Sequence, residues 1–478
     1  MMPQKSLCPV IAIVGGGVTG AALAIHLARC HPGIGTVRMV VFEPREKLGA
    51  GLAYSTHEPA HRINVPASKM TLYPDDPESF LRFATNRNIL TEDADAFGSD
   101  GQPYLQRACF GDYVSSEIQP YLAQGMVEHR QCCVANISKS GQQWLLKAED
   151  DSILLADAVA IAVSHPAPAL PAALASFKGH PKLIADVTQP DALHPVAADD
   201  RVLIVGNGLT SADVVAALKD RGHQGTIVSI SRRGLRSRGH SPVVQEAFGD
   251  FTLQPSIRAS DLLHRIRTTI RQAEKMGLSW HAVIDAIRAQ GQQIWQALPL
   301  KERRRIVRLV RPYWDVHRFR IAPQVEKVLD EGVAAGTLSI KAASVQNVAL
   351  EGSCFHVSLK EKVSGDVADY IFDAIAVATG PAHGEVLHSI PFLAALQRDG
   401  LISSCATGLG IACDTASVAI DETSRAMPGL YIAGPLARGT FGELMGLPQV
   451  TEHAIFVAGQ LSSYLNLGKH EQSLSGTG

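Results

Sequence analysis

The stretch VIAIVGGGVTGAALAIHLA, residues 10–28, carries the strongest structural signal in the chain. Val10, Ile11, Ala12, Ile13 and Val14 are apolar and mostly β-branched, as expected of a short strand buried on both faces of a parallel sheet. Gly15, Gly17 and Gly20 follow as G-x-G-x-x-G, and an alanine-rich run then suits a helix. Each glycine has a job in a strand–turn–helix unit. The first permits the tight turn, the second lets backbone approach a pyrophosphate, and the third lets helix and strand pack closely. The helix N-terminus attracts anionic phosphate through its free N–H groups and dipole. Gly15, Gly16, Gly17, Val18, Thr19 and Gly20 are therefore the expected cradle. The next predicted strand, VRMVVFE at 37–43, ends in Glu43, followed by Pro44. An acid there is placed to accept ribose hydroxyls of an adenosine.

A second stretch, RVLIVGNGLTSADVVAAL at 201–218, repeats the pattern. Gly206, Asn207, Gly208, Leu209 and Thr210 form the turn, and Ser211 stands where a third glycine would be. Serine is small enough to keep the close packing. The strand TIVSIS, 226–231, ends in Arg232 and Arg233 rather than an acid. Guanidinium groups there suit the 2′-phosphate of NADP(H) by charge and bidentate geometry. Asp213, inside the helix, receives no chemical role. Two such units imply two dinucleotides, and the expected pairing is FAD on the first and NADPH on the second, with hydride passing between them.

The remaining chain is organised around these units. We expect an α/β architecture of two Rossmann-like domains in the glutathione-reductase-like arrangement, with a helical insertion. Residues 1–198 and 384–478 would build the FAD-binding domain, and 199–383 the NAD(P)H-binding domain. The insertion spans about 242–320. Residues 77–124 read as mostly helical with a mobile acidic loop near 92–101, and 129–163 as a small β-meander. The polar tail GKHEQSLSGTG, 468–478, reads as frayed.

Composition excludes several classes. The 478 residues carry a net charge of −2, with 46% hydrophobic and 19% charged residues, an ordinary globular balance. No apolar run reaches the length of a membrane span, and no secretion signal opens the chain. Eight scattered cysteines without a CxxC pair read as reduced thiols of a cytoplasmic protein. The adjacent Cys132 and Cys133, placed in a strand, would point to opposite faces, which argues against a dithiol reductase. No metal site is expected, and a G-x-S-x-G elbow is missing. The basic run KERRRIVRLVRPYWDVHRFR, 301–320, interleaves apolar residues at helical spacing and reads as an amphipathic helix, not a nucleic-acid surface.

Several further stretches carry a family resemblance: GAGLAYSTHEPAHRINVPASKM at 49–70, YWDVHRFRIAP at 313–323, FDAIAVATGP at 372–381 and GLYIAGPLARGTFGELMGLPQV at 429–450. With the two glycine turns, they make the chain similar to bacterial FAD/NAD(P)-binding proteins related to flavin-dependent, N-hydroxylating monooxygenases. The resemblance implies FAD contacts near Gly51 and Leu52, adenine near the backbone of Val134, and cofactor-facing turns at Gly380 and Gly434. It departs at Pro435, where related flavoproteins carry an aspartate, and at Val163-Ser164, where they carry Thr-Gly.

It also implies activity: an FAD-dependent, NADPH-using oxidoreductase, with monooxygenation of a small amine or other soft nucleophile by O₂. An NAD(P)H:acceptor reductase and a non-catalytic FAD-binding sensor or assembly protein are the alternatives, because the same motifs serve all three. Partners would be a small-molecule substrate and O₂, with a homodimer allowed. His61, Arg62 and Asn64 sit in the loop expected near the flavin ring. Asp315 and His317, with Trp314, Arg318 and Arg320, form a cluster able to orient a substrate carboxylate or supply an acid/base; the alternative is a structural helix end between domains. Asn64, Asp315 and His317 are the candidate catalytic residues.

Overall fold

The computed structural model describes residues 8–465 apart from 34, 165, 381 and 382. The polar tail at 468–478 lies outside the described residues. The apolar pentad Val10–Val14 forms the strand expected of it and is buried along its whole length. It lies near the middle of a six-stranded sheet. On one side come Arg38–Phe42 and Val127–Arg130; on the other come Ala158–Ile161, Ala426–Ile432 and the antiparallel edge Val418–Ile420. The first helix, Val18–Cys30, is buried from Thr19 to Ala28 and packs on the last helix, Gln449–Tyr464. Its alanines allow that approach on several sides at once.

The second glycine strand, Val202–Val205, occupies the matching place in a seven-stranded sheet. It is flanked by Ile227–Ser231 on one side and Ala374–Val377 on the other. Leu338–Glu351 pairs in parallel with Ile227–Ser231, then runs on as an antiparallel partner of Cys354–Glu361, which pairs with Val367–Phe372. The short strand Leu183–Ile184 closes the other edge beside Ala374–Val377. That strand precedes the expected boundary at 199. The chain before that boundary thus already contributes to the second sheet.

One buried cluster runs from Ile13 and Leu23 to Ile204, Val214 and Leu338, so the two sheets share a continuous core. The insertion is helical from Ala259–Lys275 through Arg311–Arg318, and 242–258 contains no helix or strand. It has its own apolar centre at Phe251, Leu262, Val283, Ile287 and Ile294.

Three expectations are corrected. The meander is only Val134–Ser140, Gln143–Ala148 and Ile153–Ala156, because residues 127–130 and 158–161 pair into the parallel sheet. Cys132 and Cys133 lie in the link between strands rather than in one. The acidic loop near 92–101 is tied down rather than mobile. Arg62 and Asp93 form a buried ion pair, the Tyr104 hydroxyl donates to Asp100 at 2.7 Å, and Ala96 is fully buried.

Candidate functional site

At the first turn, Gly15 has φ +101°, and an added Cβ would lie 2.7 Å from the Ala162 carbonyl oxygen of the crossing strand. An added Cβ on Gly20 would lie only 1.9 Å from the Gly15 oxygen. This is why the pattern demands glycine at both places. The Val18–Cys30 helix starts at Gly17 without a side-chain cap, leaving the first N–H groups for an anion. The loop after the second strand folds back over this turn. Gly49 N–H donates to the Gly16 carbonyl at 2.7 Å, and an added Cβ on Gly17 would come 3.3 Å from Gly51 Cα. Gly51 and Leu52 begin the short helix Gly51–Tyr54.

Glu43 is 4% exposed and directly follows the strand Arg38–Phe42. One carboxylate oxygen accepts the Gly16 N–H at 3.0 Å, and the other pairs with Arg45 at 2.8 Å. A carboxylate with about four acceptor positions keeps capacity for a ribose hydroxyl. Pro44 is exposed, and Val134 is buried at the start of the meander. The uncapped helix, the close glycine pair and the buried acid together fit an adenine dinucleotide.

The C-terminal crossing is arranged differently. The Gly434 N–H donates to His453 Nδ1 at 3.0 Å, and an added Cβ on Gly434 would meet Thr19 Oγ1 at 2.7 Å. Gly434 therefore serves the packing of the last strand on the first helix, and its amide is already used. Burial pushes His453 down to about 4, so it stays neutral. Pro435 is the second residue of the one-turn helix Gly434–Ala437.

The second turn opens onto a cavity of about 1780 Å³. Gly206 has φ +138°, and its Cβ would strike the Ala378 oxygen at 2.0 Å, which repeats the geometry of Gly15. Gly208 starts the helix Leu209–Asp220 without a side-chain cap, and an added Cβ there meets nothing within 4 Å. Asn207 donates to Ser231 at 3.2 Å, and Ser211 is hydrogen-bonded to Ser229 at 2.9 Å. Gly206, Asn207, Gly208, Leu209, Thr210, Arg232, Arg233 and Gly380 all line the cavity. Ser211 lies just beneath, buried against Ser229. Arg232 and Arg233 are exposed, and neither forms an ion pair among the described residues. Arg233 lies 5.5 Å over the Tyr313 ring.

The same cavity reaches the first unit and the C-terminal segment. Tyr54, Asn64 and Lys69 contribute from one side, and Met445, Gly446 and Gln449 from another. The Asn64 carbonyl accepts from His240 Nε2 at 3.0 Å. Burial, together with the nearby Arg320 charge, pushes His240 down to about 4. His61 is also held down by burial, and its Nδ1 is 2.9 Å from the Thr56 hydroxyl. Neither His61 nor Arg62 lines the cavity, since Arg62 is spent on Asp93.

Helix Arg311–Arg318 separates the residues of the predicted cluster by face. Arg311, Asp315 and Arg318 share one face at helical spacing and line the cavity. Burial raises the Asp315 carboxyl above its usual range, against the opposing pull of Arg311. His317 falls on the other face. It packs edge-on against Trp280 with ring centroids 4.9 Å apart, and its Nδ1 donates to the Tyr313 carbonyl at 2.7 Å. It does not line the cavity, which corrects its placement among the catalytic candidates.

Other residues gave no local signal in the sequence. Arg107, from the first unit, makes a two-pronged pair with Asp213 of the second at 2.8 and 3.0 Å. Arg288 donates to the Leu447 carbonyl at 2.6 Å, and Arg318 pairs with Glu443. Each contact joins residues more than one hundred positions apart, so no spacing rule could have found them. Among the described residues, no group of three or more His, Cys, Asp or Glu could hold a metal, and no helix is long and apolar enough to cross a membrane. Cys132 and Cys133 do not line the cavity, and burial raises both thiols.

Residues 12–166 match a family model described as FAD-NAD(P)-binding. No curated protein matches the chain. Solved structures do. The ornithine hydroxylase of Pseudomonas aeruginosa is 16% identical, with a TM-score of 0.62 over 96% of this chain and 99% of the other. The L-lysine 6-monooxygenase of Pseudomonas syringae is 16% identical, with a TM-score of 0.60 over 96% and 99%. The ornithine N-hydroxylase of Kutzneria sp. 744, solved with reduced FAD, NADP⁺ and L-ornithine, is 15% identical, with a TM-score of 0.59 over 97% and 99%. These likenesses establish the fold across nearly the whole chain. Residues 12–166 are thus an FAD/NAD(P)-binding domain, within a chain that has the two-dinucleotide-binding fold of FAD/NAD(P) proteins.

Proposed function

We propose that the protein is an FAD-dependent, NADPH-using monooxygenase that hydroxylates a small amine or another soft nucleophile. One observation carries the reading. A single cavity joins the second glycine turn, with its two arginines, to the loop at Asn64 and the segment before the last helix. At about 1780 Å³ it exceeds the roughly 300–1,000 Å³ of an ordinary small-molecule pocket, leaving room for a nicotinamide, a flavin ring and a substrate together. The likeness to ornithine and lysine hydroxylases supports oxygen insertion over simple electron transfer.

In this reading FAD is held by Gly15–Gly20, Glu43 and the Gly51–Leu52 loop, and NADPH by Gly206–Ser211, Gly380 and the arginine pair. Bound FAD supplies hydride acceptance from NADPH and, once reduced, oxygen activation. The chain's own residues position and desolvate. Arg232 and Arg233 select the 2′-phosphate. Neutral His240 fixes the Asn64 backbone, leaving the Asn64 amide free to orient flavin or substrate. Asp315, raised by burial, is placed to exchange a proton with the reacting nucleophile. The net reaction consumes NADPH, a proton, O₂ and an amine, and yields NADP⁺, water and a hydroxylamine.

The test is an absorbance spectrum of purified protein, followed by anaerobic NADPH and then air with an amine series. Bleaching by NADPH and amine-dependent product on reoxidation are expected. Bleaching without hydroxylated product would convert the reading to a reductase. Flavin that stays oxidised under NADPH would leave a cofactor-binding sensor.

A further inference from the structure

Where the insertion meets the C-terminal segment, five arginines converge. Arg288, Arg311, Arg318 and Arg320 line the cavity, and Arg438 stands behind them, 4% exposed. Three carboxylates oppose them. Asp285 holds Arg320 at 2.8 and 3.1 Å, Asp315 holds Arg311 at 3.3 Å, and Glu443 holds Arg318. Five cations against three anions leave two positive charges without a partner in the cluster. Burial pushes Arg288 and Arg438 down to about 10, so both remain protonated at neutral pH.

The donor count agrees with the charge count. Nε of Arg288, Nη2 of Arg318, Nε of Arg320, and Nε and Nη2 of Arg438 are buried without an acceptor among the described residues. A buried, unpaired guanidinium donor is costly, and a site that tolerates several of them is one whose ligand brings acceptors. Gly446, also in the cavity lining, sits beside this cluster: an added Cβ there would lie 3.7 Å from Arg318 Nη2. None of the five arginines belongs to either glycine turn or to the strand end after it.

We propose that this cluster binds the substrate as a small dianion, carrying either two carboxylates or one phosphate monoester. The inference rests on the oxidoreductase reading of the same cavity and names its substrate class. Guanidinium forks match carboxylate and phosphate oxygens two at a time, which gives orientation as well as charge.

The experiment is calorimetric titration of flavin-loaded, oxidised protein with succinate, phosphoserine, butyrate and cadaverine. Because it needs neither NADPH nor O₂, its outcome is separate from flavin bleaching by NADPH, which tests the oxidoreductase reading. One of the two dianions is expected to bind at least about tenfold more tightly than butyrate, with cadaverine silent. Tight succinate identifies a dicarboxylate, and tight phosphoserine a phosphate monoester. Arg288→Gln should weaken that dianion by about tenfold or more at unchanged flavin content. Loss of phosphoserine binding in Arg232→Ala/Arg233→Ala instead of Arg288→Gln would assign it to the nucleotide site and overturn the proposal. So would a series in which no dianion exceeds butyrate, a result that stands even where Arg288→Gln fails to fold.

Discussion

The two glycine turns share one strand–turn–helix plan and differ in almost everything around it. In the first, Gly20 presses on the Gly15 carbonyl, and the Gly49–Gly51 loop closes over Gly16 and Gly17. In the second, Ser211 replaces the third glycine, its hydroxyl bonds Ser229, and Gly208 looks into open cavity. The strand after the first turn is followed by a buried acid, and the strand after the second by two exposed arginines. The same motif thus builds a backbone-closed cradle at one place and an open one at the other. A closed cradle suits a ligand held through turnover, and an open one suits a ligand that is exchanged.

Substitutions can break that contrast. Gly20→Ala puts a methyl against backbone that cannot yield. It should cost more than about 3 kcal/mol and abolish bound flavin, read as flavin-to-protein ratio and melting temperature. Gly208→Ala should fold with full flavin, because its Cβ meets no atom within 4 Å, and should weaken only NADPH. Equal damage from both would remove the contrast. Next in size is Asp213→Ala, which leaves Arg107 without its partner across the two units, where the side chains are 17% and 10% exposed. A loss of about 2 kcal/mol in denaturant unfolding is expected. Arg232→Ala with Arg233→Ala should reduce NADPH affinity roughly tenfold or more and leave NADH nearly unchanged. An unaltered NADPH/NADH ratio would show that these guanidiniums do not read the 2′-phosphate. The smallest effect is Ser211→Ala, which removes one buried hydroxyl pair for about 1 kcal/mol and keeps both cofactors.

The features readable along the chain are those whose cause is local. Apolar pentads, glycine spacing and small-residue helices specify the two units, because a strand buried on both faces and a helix packed on a glycine turn leave few residue choices. Glu43 and Arg232–Arg233 were legible for the same reason, since each follows its turn at a fixed reach. Features that depend on distant chain emerge only from how the elements pack. That packing turned His317 onto Trp280 while leaving Asp315 in the cavity, a choice made by which helix face meets the insertion core. It spent Arg62 on Asp93 and the Gly434 amide on His453. It brought Arg288, Arg318 and Arg438 together from segments with no common pattern, because charge pairing across a cavity is fixed by where the elements pack and not by residue spacing along the chain.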